Sequence, residues 1–216
     1  VDGSAYWMSE NGFFRYTGRL ESLPCLVEDY VYDDINTVPK NHIYAGLNNL
    51  FGEVTWFYPG SGSASNNRSV TYNYMDSSPQ RAVWTTSSLA RSAWADSHIF
   101  GKPHATEYDS SSTSDSTVGN TDGCTIYYEH ETGNNQIKAG TATAITANIQ
   151  SGDFDLGVQG NLQGDTNAGE VMMKIRRVLP DFLTQTGTTR VTLNLKNYPT
   201  DSEASSSLGP FDITAS

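Results

Sequence analysis

The chain has 216 residues, of which 37% are hydrophobic and 17% are charged. This length supports one or two soluble domains, and no run approaches the roughly 18 apolar residues that a membrane-spanning helix requires. The first residues have neither the basic nor the apolar region of a signal peptide. With 13 Lys and Arg against 24 Asp and Glu, the formal net charge is −11, which argues against a basic face that binds nucleic acid.

The composition predicts a β-protein. The chain contains 24 Ser, 23 Thr, 19 Gly and 16 Asn, residues that favour turns and short strands over long helices. The two cysteines, Cys25 and Cys124, are far apart in the sequence, and a disulfide scaffold of this length would carry more of them. We therefore expect both to be reduced, buried and weakly apolar rather than paired.

Two hairpins are predicted at the start of the chain. The dipeptide Asn11-Gly12 is a tight-turn signal between the apolar segments 5–8 and 13–16. A second hairpin is expected from residues 42–45, a turn region at 47–49, and a strand over 51–58.

An antiparallel meander is predicted to follow. Apolar residues alternate over 69–75, and residues 76–79 are expected to turn that strand into the segment around Trp84. No crossover helix of the kind that parallel sheets need is evident. Residues 87–96 have a weak helical pattern, but the Thr-Thr-Ser-Ser run that leads into them and their short length favour a strand or irregular structure.

The second half of the chain changes in character. Residues 109–122 are predicted to form an exposed loop, and a strand is expected over 124–130. A shift to small residues near 136 is the predicted domain boundary, which gives domains 1–135 and 136–216. Further strands are expected over 170–179, 188–196 and 211–214, and so few strands suggest part of a longer chain.

No catalytic, cofactor or metal site is predicted. His98, His104 and Glu107 are separated by a Gly-Lys-Pro kink, and Glu129-His130-Glu131 lacks the second histidine of a helical zinc site. No Gly-x-Ser-x-Gly motif is present, and no glycine-rich phosphate loop precedes a helix. The chain is therefore not expected to be an enzyme.

Two features leave alternatives open. Carboxylate pairs could flank a glycosidic bond, but solvated or turn-capping roles are favoured, since 24 acidic residues supply many pairs by chance. Four tryptophans could form sugar-stacking platforms, but core packing or subunit contact is favoured. The carboxylates are Asp33-Asp34, Glu28-Asp29, Asp153 with Asp155, and Asp181; the tryptophans are Trp7, Trp56, Trp84 and Trp94.

One basic cluster interrupts the acidic chain. Lys174, Arg176 and Arg177 lie in the predicted strand 170–179, which would place Lys174 and Arg176 on one face and Arg177 on the other. Three cations are too few to overcome the net charge. We therefore expect them to form ion pairs with acidic residues of neighbouring subunits.

Several aromatic and turn motifs occur along the chain in a defined order. They are Tyr6-Trp7-Met8, Phe13-Phe14-x-Tyr16-x-Gly18-x-Leu20-x-x-Leu23-Pro24-Cys25, Tyr30-Val31-Tyr32-Asp33-Asp34-Ile35-Asn36, Glu53-Val54-Thr55-Trp56-Phe57-Tyr58-Pro59, Val70-Thr71-Tyr72-Asn73-Tyr74, Leu89-Ala90-Arg91-Ser92-Ala93-Trp94-x-Asp96, Ser151-Gly152-Asp153-Phe154-Asp155-Leu156-Gly157 and Leu179-Pro180-Asp181-Phe182. In this order the chain resembles the tail hub or nozzle proteins of short-tailed bacteriophages, also labelled packaged-DNA stabilisation proteins. The motifs mark a fold and not a catalytic site.

The resemblance implies an all-β fold, with an antiparallel meander of β-propeller-like blades over 1–135 and a smaller sheet- or sandwich-like region over 136–216. It implies six copies in a ring below the portal and adaptor, in contact with other tail proteins. The ring would line or gate the DNA exit channel and help retain packaged DNA, without sequence-specific contacts. The virion tail, assembled in the host cytoplasm, would be its location, with no membrane insertion by this chain.

The alternative from another functional class is a carbohydrate-binding or glycan-hydrolysing β-protein, such as a receptor-binding tail component. Exposure of the aromatic residues discriminates between the two, because a sugar site needs at least two exposed aromatics beside carboxylates. A ring protein needs those aromatics in its core or at subunit contacts.

Overall fold

The computed structural model describes residues 3–78, 81–109, 124–138, 141–151, 174–185, 187–197 and 206–214, apart from the side chains at 98, 99, 108, 109, 124, 125 and 138. Over these residues the fold is all-β, with fourteen strands in five antiparallel sheets. The chain divides into two compact units, Val1–Ala144 and Ile145–Ser216. The predicted boundary near 136 falls inside a strand of the first unit.

The first sheet contains the predicted N-terminal hairpin. Its strands, in spatial order, are β1 (Ala5–Ser9), β2 (Gly12–Tyr16) and β3 (Leu20–Leu23). Ser9 pairs with Gly12, so the two-residue turn is Glu10-Asn11 and not the predicted Asn11-Gly12. Gly12 instead opens β2 with φ +125°, and the Glu28 carboxylate lies 3.4 Å from where its Cβ would be. The positive φ therefore favours glycine at this position, since 3.4 Å is an ordinary contact distance for a Cβ.

A short helix, α1 (Glu28–Asp34), was missed at the sequence level. No side chain caps its N-terminus, and seven residues are too few for a stable isolated helix. Tertiary contacts hold it in place, since Val31 is fully buried and the Tyr32 hydroxyl donates to the Ser9 carbonyl at 2.6 Å. A 3₁₀ turn (Lys40–His42) follows.

The second sheet is a four-stranded meander, as predicted. Its strands, adjacent in chain order, are β4 (Tyr44–Asn48), β5 (Glu53–Tyr58), β6 (Arg68–Ser78) and β7 (Arg81–Ser87). The predicted turn at 47–49 is displaced, because β4 continues until Asn48 pairs with Glu53. The predicted turn at 76–79 is also displaced, since β6 continues to Ser78 through a register shift after Asn73.

The third sheet has the order β10-β9-β8, with β8 (Ala93–Ala95), β9 (His104–Asp109) and β10 (Cys124–Glu129). The prediction of strand or irregular structure over 87–96 is confirmed, and the four-residue helix α2 (Ser97–Phe100) comes after it. Residues 110–123, which form most of the predicted exposed loop, lie outside the described residues. A separate hairpin pairs β11 (Asn135–Lys138) with β12 (Thr141–Ala144).

The core of the first unit lies where the first sheet and α1 pack on the second sheet. The Phe13 ring is 5.1 Å from that of Trp56 and 4.7 Å from that of Trp84. Full burial of each such side chain contributes about 1.5–3 kcal/mol. The buried members of this cluster are Phe13, Leu23, Val31, Val54, Trp56, Tyr58, Val70 and Tyr72.

The second unit contains one two-stranded sheet among its described residues, with β13 (Thr188–Leu195) and β14 (Ser206–Thr214). The predicted strand over 188–196 is confirmed, and the predicted short strand at 211–214 extends back to Ser206. The predicted strand over 170–179 is wrong where it can be examined, because residues 174–180 have no regular secondary structure. That segment pairs with no strand in the described part of the unit, so its backbone has no ladder to join. Residues 170–173, and the motif from 152 to 157, lie outside the described residues.

Candidate assembly interface

The sheet of the second unit has one apolar face. Successive β13 side chains alternate between exposed and half-buried, and the half-buried set includes Val191 and Leu193. Their partners on β14 are Phe211 and Leu208, each still about half exposed, at 52% and 51%. Segment 174–180 covers part of this face and leaves a groove of about 370 Å³. A two-stranded sheet is marginal by itself in water, so this half-covered face is a candidate interface.

The three predicted site cations lie beside that groove. Lys174, Arg176 and Arg177 are all exposed, and both arginines line the groove. The expected split of Arg176 and Arg177 onto opposite faces is wrong, because this segment is not a strand. Among the described residues, none of the three forms an ion pair with a carboxylate.

The neighbouring cation of the sheet behaves differently. The Arg190 Nε lies 3.0 Å from Asp212 Oδ1, across the paired strands. Both side chains are more than half exposed, so this pair contributes little to stability. The pair does neutralise Arg190 locally. Lys174, Arg176 and Arg177 differ from it, because they form no ion pair among the described residues.

The four tryptophans lie in the first unit and contact other aromatic rings. Trp56 is 2% exposed, and Trp84 packs on Phe13 while its indole N–H donates to the Pro24 carbonyl at 2.8 Å. Trp7 is half-buried and stacks on Phe14 at 5.8 Å. None of the four is an exposed platform.

Trp94 joins the second and third sheets. Its indole N–H donates to the Leu47 carbonyl at 2.7 Å, and its ring lies 5.8 Å from that of Phe57. A Cβ on Gly46 would be only 2.7 Å from the Trp94 ring. The absence of a side chain at residue 46 therefore allows β4 and β8 to approach closely.

A buried charged cluster lies near Trp94 and was missed at the sequence level. Arg91 is only 6% exposed, and its Nη1 lies 3.3 Å from Glu107 Oε2. The Tyr128 hydroxyl donates to the same oxygen at 2.7 Å, and the Arg91 guanidinium lies 3.9 Å from the centre of the Tyr128 ring. The Arg91 Nε donates to His130 Nε2 at 3.3 Å, which requires that nitrogen to be unprotonated.

The electrostatics of this cluster follow from burial. Desolvation lowers the pKa of Arg91, and desolvation together with the Arg91 charge lowers the pKa of His130 to about 4. His130 is therefore neutral near pH 7. We interpret the cluster as structural, because Asn66 Nδ2 further ties the Arg91 carbonyl to that of His42, at 3.1 and 2.8 Å.

His104 and Glu107, which were not expected to form a metal site, lie on opposite faces of β9. Glu107 points to Arg91, whereas the His104 ring lies 5.5 Å from that of Tyr127, on the other face. The His98 side chain lies outside the described residues. Over the part of the chain that the structure describes, no group of three or more His, Cys, Asp and Glu side chains could hold a metal ion.

Cys25 is a free thiol. It is half-buried rather than buried as expected, and desolvation raises the pKa of its thiol to about 11. The thiol is therefore protonated and unreactive near neutral pH. The Cys124 side chain lies outside the described residues.

The candidate carboxylates that the structure describes lie in different environments. Asp34 accepts from Arg68 Nε at 3.2 Å and from the Ser61 amide at 3.3 Å, while Asp33 and Asp29 are exposed on α1. Asp181 is exposed in the second unit, and Asp153 and Asp155 lie outside the described residues. This arrangement provides ion pairing and solvated charge rather than an acid–base pair.

One exposed aromatic patch lies on the outer face of the third sheet. Tyr127 is 64% exposed and Phe100 is 62% exposed, and the His104 ring lies between them, 4.8 Å from Phe100. The Lys102 Nζ is 3.1 Å from Glu129, and Lys102 also pairs with Glu131. The carboxylate of Glu129 thus belongs to the residue that pairs with His104, in the same part of the sheet as the exposed rings.

Comparisons with protein-family models, with curated proteins and with solved structures found no match to this chain. Among the described residues, no helix is long and apolar enough to cross a membrane.

Proposed function

We propose that this chain is a structural, non-enzymatic component of a bacteriophage tail, in a hub or nozzle ring that lines or gates the DNA exit channel and helps retain packaged DNA. The observation that supports it best is the half-covered apolar sheet of the second unit, with three unpaired cations beside it in the described region. A surface of this kind suits contact between subunits. The proposal takes the particular assembly from the motif resemblance.

In this proposal the four-stranded meander, β4 to β7, is one blade of a propeller-like body. Its neighbours are other copies of this chain, six in the ring, together with the portal, the adaptor and other tail proteins. The virion tail is its location. The packing of Trp56 and Trp84 in the core of the first unit supports the blade interpretation, because aromatic side chains fill the space between packed sheets.

The net charge supports a conduit rather than a clamp. A wall that held DNA through about 6 to 10 cationic contacts would bind it tightly at physiological salt. A chain with a formal charge of −11 instead repels the phosphate backbone. We therefore propose a net-negative lumen, with Lys174, Arg176 and Arg177 turned toward neighbouring subunits.

Electron microscopy of the purified full chain tests the ring directly. We expect six-fold rings at high protein concentration. A chain that stays monomeric at every concentration would contradict the proposal. Solubility alone could also account for the acidity, so a second measurement is needed for the DNA channel.

That second measurement is DNA binding across roughly 50 to 200 mM salt. A conduit predicts weak association that changes little with salt. Micromolar or tighter binding that falls steeply as salt rises would indicate a clamp and would contradict the proposed conduit.

A carbohydrate-binding role is the second candidate, and the exposed patch of Phe100, His104 and Tyr127 favours it. Aromatic faces beside carboxylates are what sugar rings require for stacking and hydrogen bonding. A glycan array with the full chain and with Tyr127→Ala tests it, and Tyr16→Ala, at a 49% exposed tyrosine of the first sheet, is the control. Glycan binding that Tyr127→Ala abolishes and the control retains would establish this role.

A further inference from the structure

The outer face of α1 and its flanking residues combine acid with apolar surface. Asp29 and Asp33 are one helical turn apart and exposed. Tyr30 is 57% exposed, and Leu26, just before the helix, is 91% exposed. Because Val31 is fully buried on the opposite side, the helix presents this acidic-apolar face outward without rearrangement.

The second unit carries the opposite combination. Its groove is apolar, with Leu208 and Phe211 half exposed, and Arg176 and Arg177 line it. Lys174 is exposed and directly precedes the first lining residue of this segment, Ile175. Acid and apolar side chains on one surface thus match cations and apolar side chains on the other.

We infer that the outer face of α1 of one copy of this chain docks in the groove of the second unit of the next copy. The inference rests on the proposed ring, whose contact surfaces it names. The contact is heterologous, because two different surfaces meet, and heterologous contacts that close by rotation give rings rather than isologous dimers.

The net charge explains why such a contact needs local complementarity. Two copies, each with a formal charge of −11, repel one another on average. Three cations facing Asp29 and Asp33 reverse that repulsion at one place and fix the orientation of approach. Exposed ion pairs contribute little affinity, so the apolar residues, Leu26 and Tyr30 against Leu208 and Phe211, supply the binding free energy.

Charge reversal of each surface tests the contact in the full chain. The triple variant Lys174→Glu, Arg176→Glu, Arg177→Glu and the double variant Asp29→Lys, Asp33→Lys each place like charges in contact. We expect each variant to raise the dissociation constant of assembly at least tenfold, as measured by sedimentation velocity. The variant that combines all five substitutions should assemble again. Arg81→Glu, at an exposed cation of the first unit, is the matched control and should assemble like the unaltered chain.

The outcomes separate this inference from the proposed function. The inference would be overturned, and the ring left intact, if both reversal variants still formed rings. The same would follow if the variant with all five substitutions failed to assemble although circular dichroism showed that it was folded. An unaltered chain that never assembles would overturn the ring and the inference together.

Cross-linking identifies the occupant of the groove. Asp29→Cys combined with Arg177→Cys should give covalent oligomers on mild oxidation, in a background where Cys25 and Cys124 are both replaced by Ser. A cross-link found only within single chains would overturn the inference, because the same copy would then occupy its own groove.

Discussion

The two units use the same strand chemistry with opposite results. In the first unit, sheets and a helix bury Trp56, Phe13 and Tyr58 at 2% exposure or less. In the second unit, β13 alternates just as regularly, yet its partners Phe211 and Leu208 on β14 stay about half exposed. Alternation predicts which side chains share a face, but only a second layer buries them. We therefore expect the first unit to be stabilised by its own core and the second unit to be stabilised by contact with a partner.

The largest expected effect is the loss of a core ring in the first unit. Trp56→Ala should lower the free energy of unfolding of that unit by about 3–5 kcal/mol, because it leaves a cavity among Phe13, Trp84 and Val54. Urea denaturation followed by near-UV circular dichroism measures it. Val38→Ala, at a 90% exposed position, is the control and should change the free energy of unfolding by less than about 0.5 kcal/mol. Equal effects would contradict the assignment of Trp56 to the core of the first unit.

The next effect comes from the buried cluster. Arg91→Met should destabilise the first unit by about 2–3 kcal/mol, since it leaves the Glu107 carboxylate half-buried beside the Tyr128 hydroxyl without its cation. Adding Glu107→Gln to that variant should restore part of the loss. If Arg91→Met were as stable as the unaltered chain in a denaturant titration, the ion pair would make no net contribution to the stability of the first unit.

The close approach of β4 and β8 gives a third prediction. Gly46→Ala should cost about 1–3 kcal/mol, because its Cβ would lie 2.7 Å from the Trp94 ring. In a variant that already carries Trp94→Ala, the same change should cost much less. Additive losses in this double-mutant cycle would argue against contact between the two residues.

Acidification should weaken the first unit by a smaller amount. The pKa of His130 is about 4 in the folded chain and near 6.5 when unfolded, so the unfolded state binds the proton first. The stability due to neutral His130 is present above pH 6.5 and is lost as the pH falls toward 4. Partial exposure limits the effect to about 1–2 kcal/mol.

Thermal unfolding between pH 7 and pH 4 measures this effect, and His130→Gln is the control. The neighbouring charges of Arg91, Glu107 and His104 are the same in both proteins. The difference in melting temperature between them should therefore shrink as the pH falls. A constant difference across the range would contradict the assignment to His130.

The smallest effect on folding is expected in the second unit. Phe211→Ser removes a half-exposed ring, so the free energy of unfolding should fall by less than about 1 kcal/mol. Assembly should weaken far more than folding, since this ring supplies apolar contact. Sedimentation velocity and urea titration on the same samples compare the two, and a large loss of folding stability with unchanged assembly would reverse the comparison of the units.

Local sequence signals predicted much of the strand order. The Asn-Gly dipeptide located the first hairpin to within one residue, and alternation located β13 at Thr188–Leu195. They failed for α1, whose helicity depends on contacts made by Val31 and Tyr32 with residues about twenty positions away. They also failed for the alternating residues up to Ile175, because segment 174–180 pairs with no strand among the described residues.

The candidate site shows the same limit. Lys174, Arg176 and Arg177 were visible as a cluster in the sequence, because three cations stand out in an acidic chain. Their position beside the apolar face of β13 and β14 could not be predicted, since it depends on how the segment crosses the sheet. The buried cluster was missed because Arg91, Glu107 and Tyr128 are dispersed over 38 positions of the chain.

The sequence by itself determined the helix-poor, antiparallel character of this protein, its acidity and the faces of its regular strands. Those properties depend on composition and on the two-residue period of the strand, which act over a few neighbouring residues. Only the tertiary structure decided that α1 is a helix, that Arg91 is buried and that Phe211 is not. Burial depends on which distant segments pack together, so solvent exposure is a property of the whole fold rather than of any local pattern.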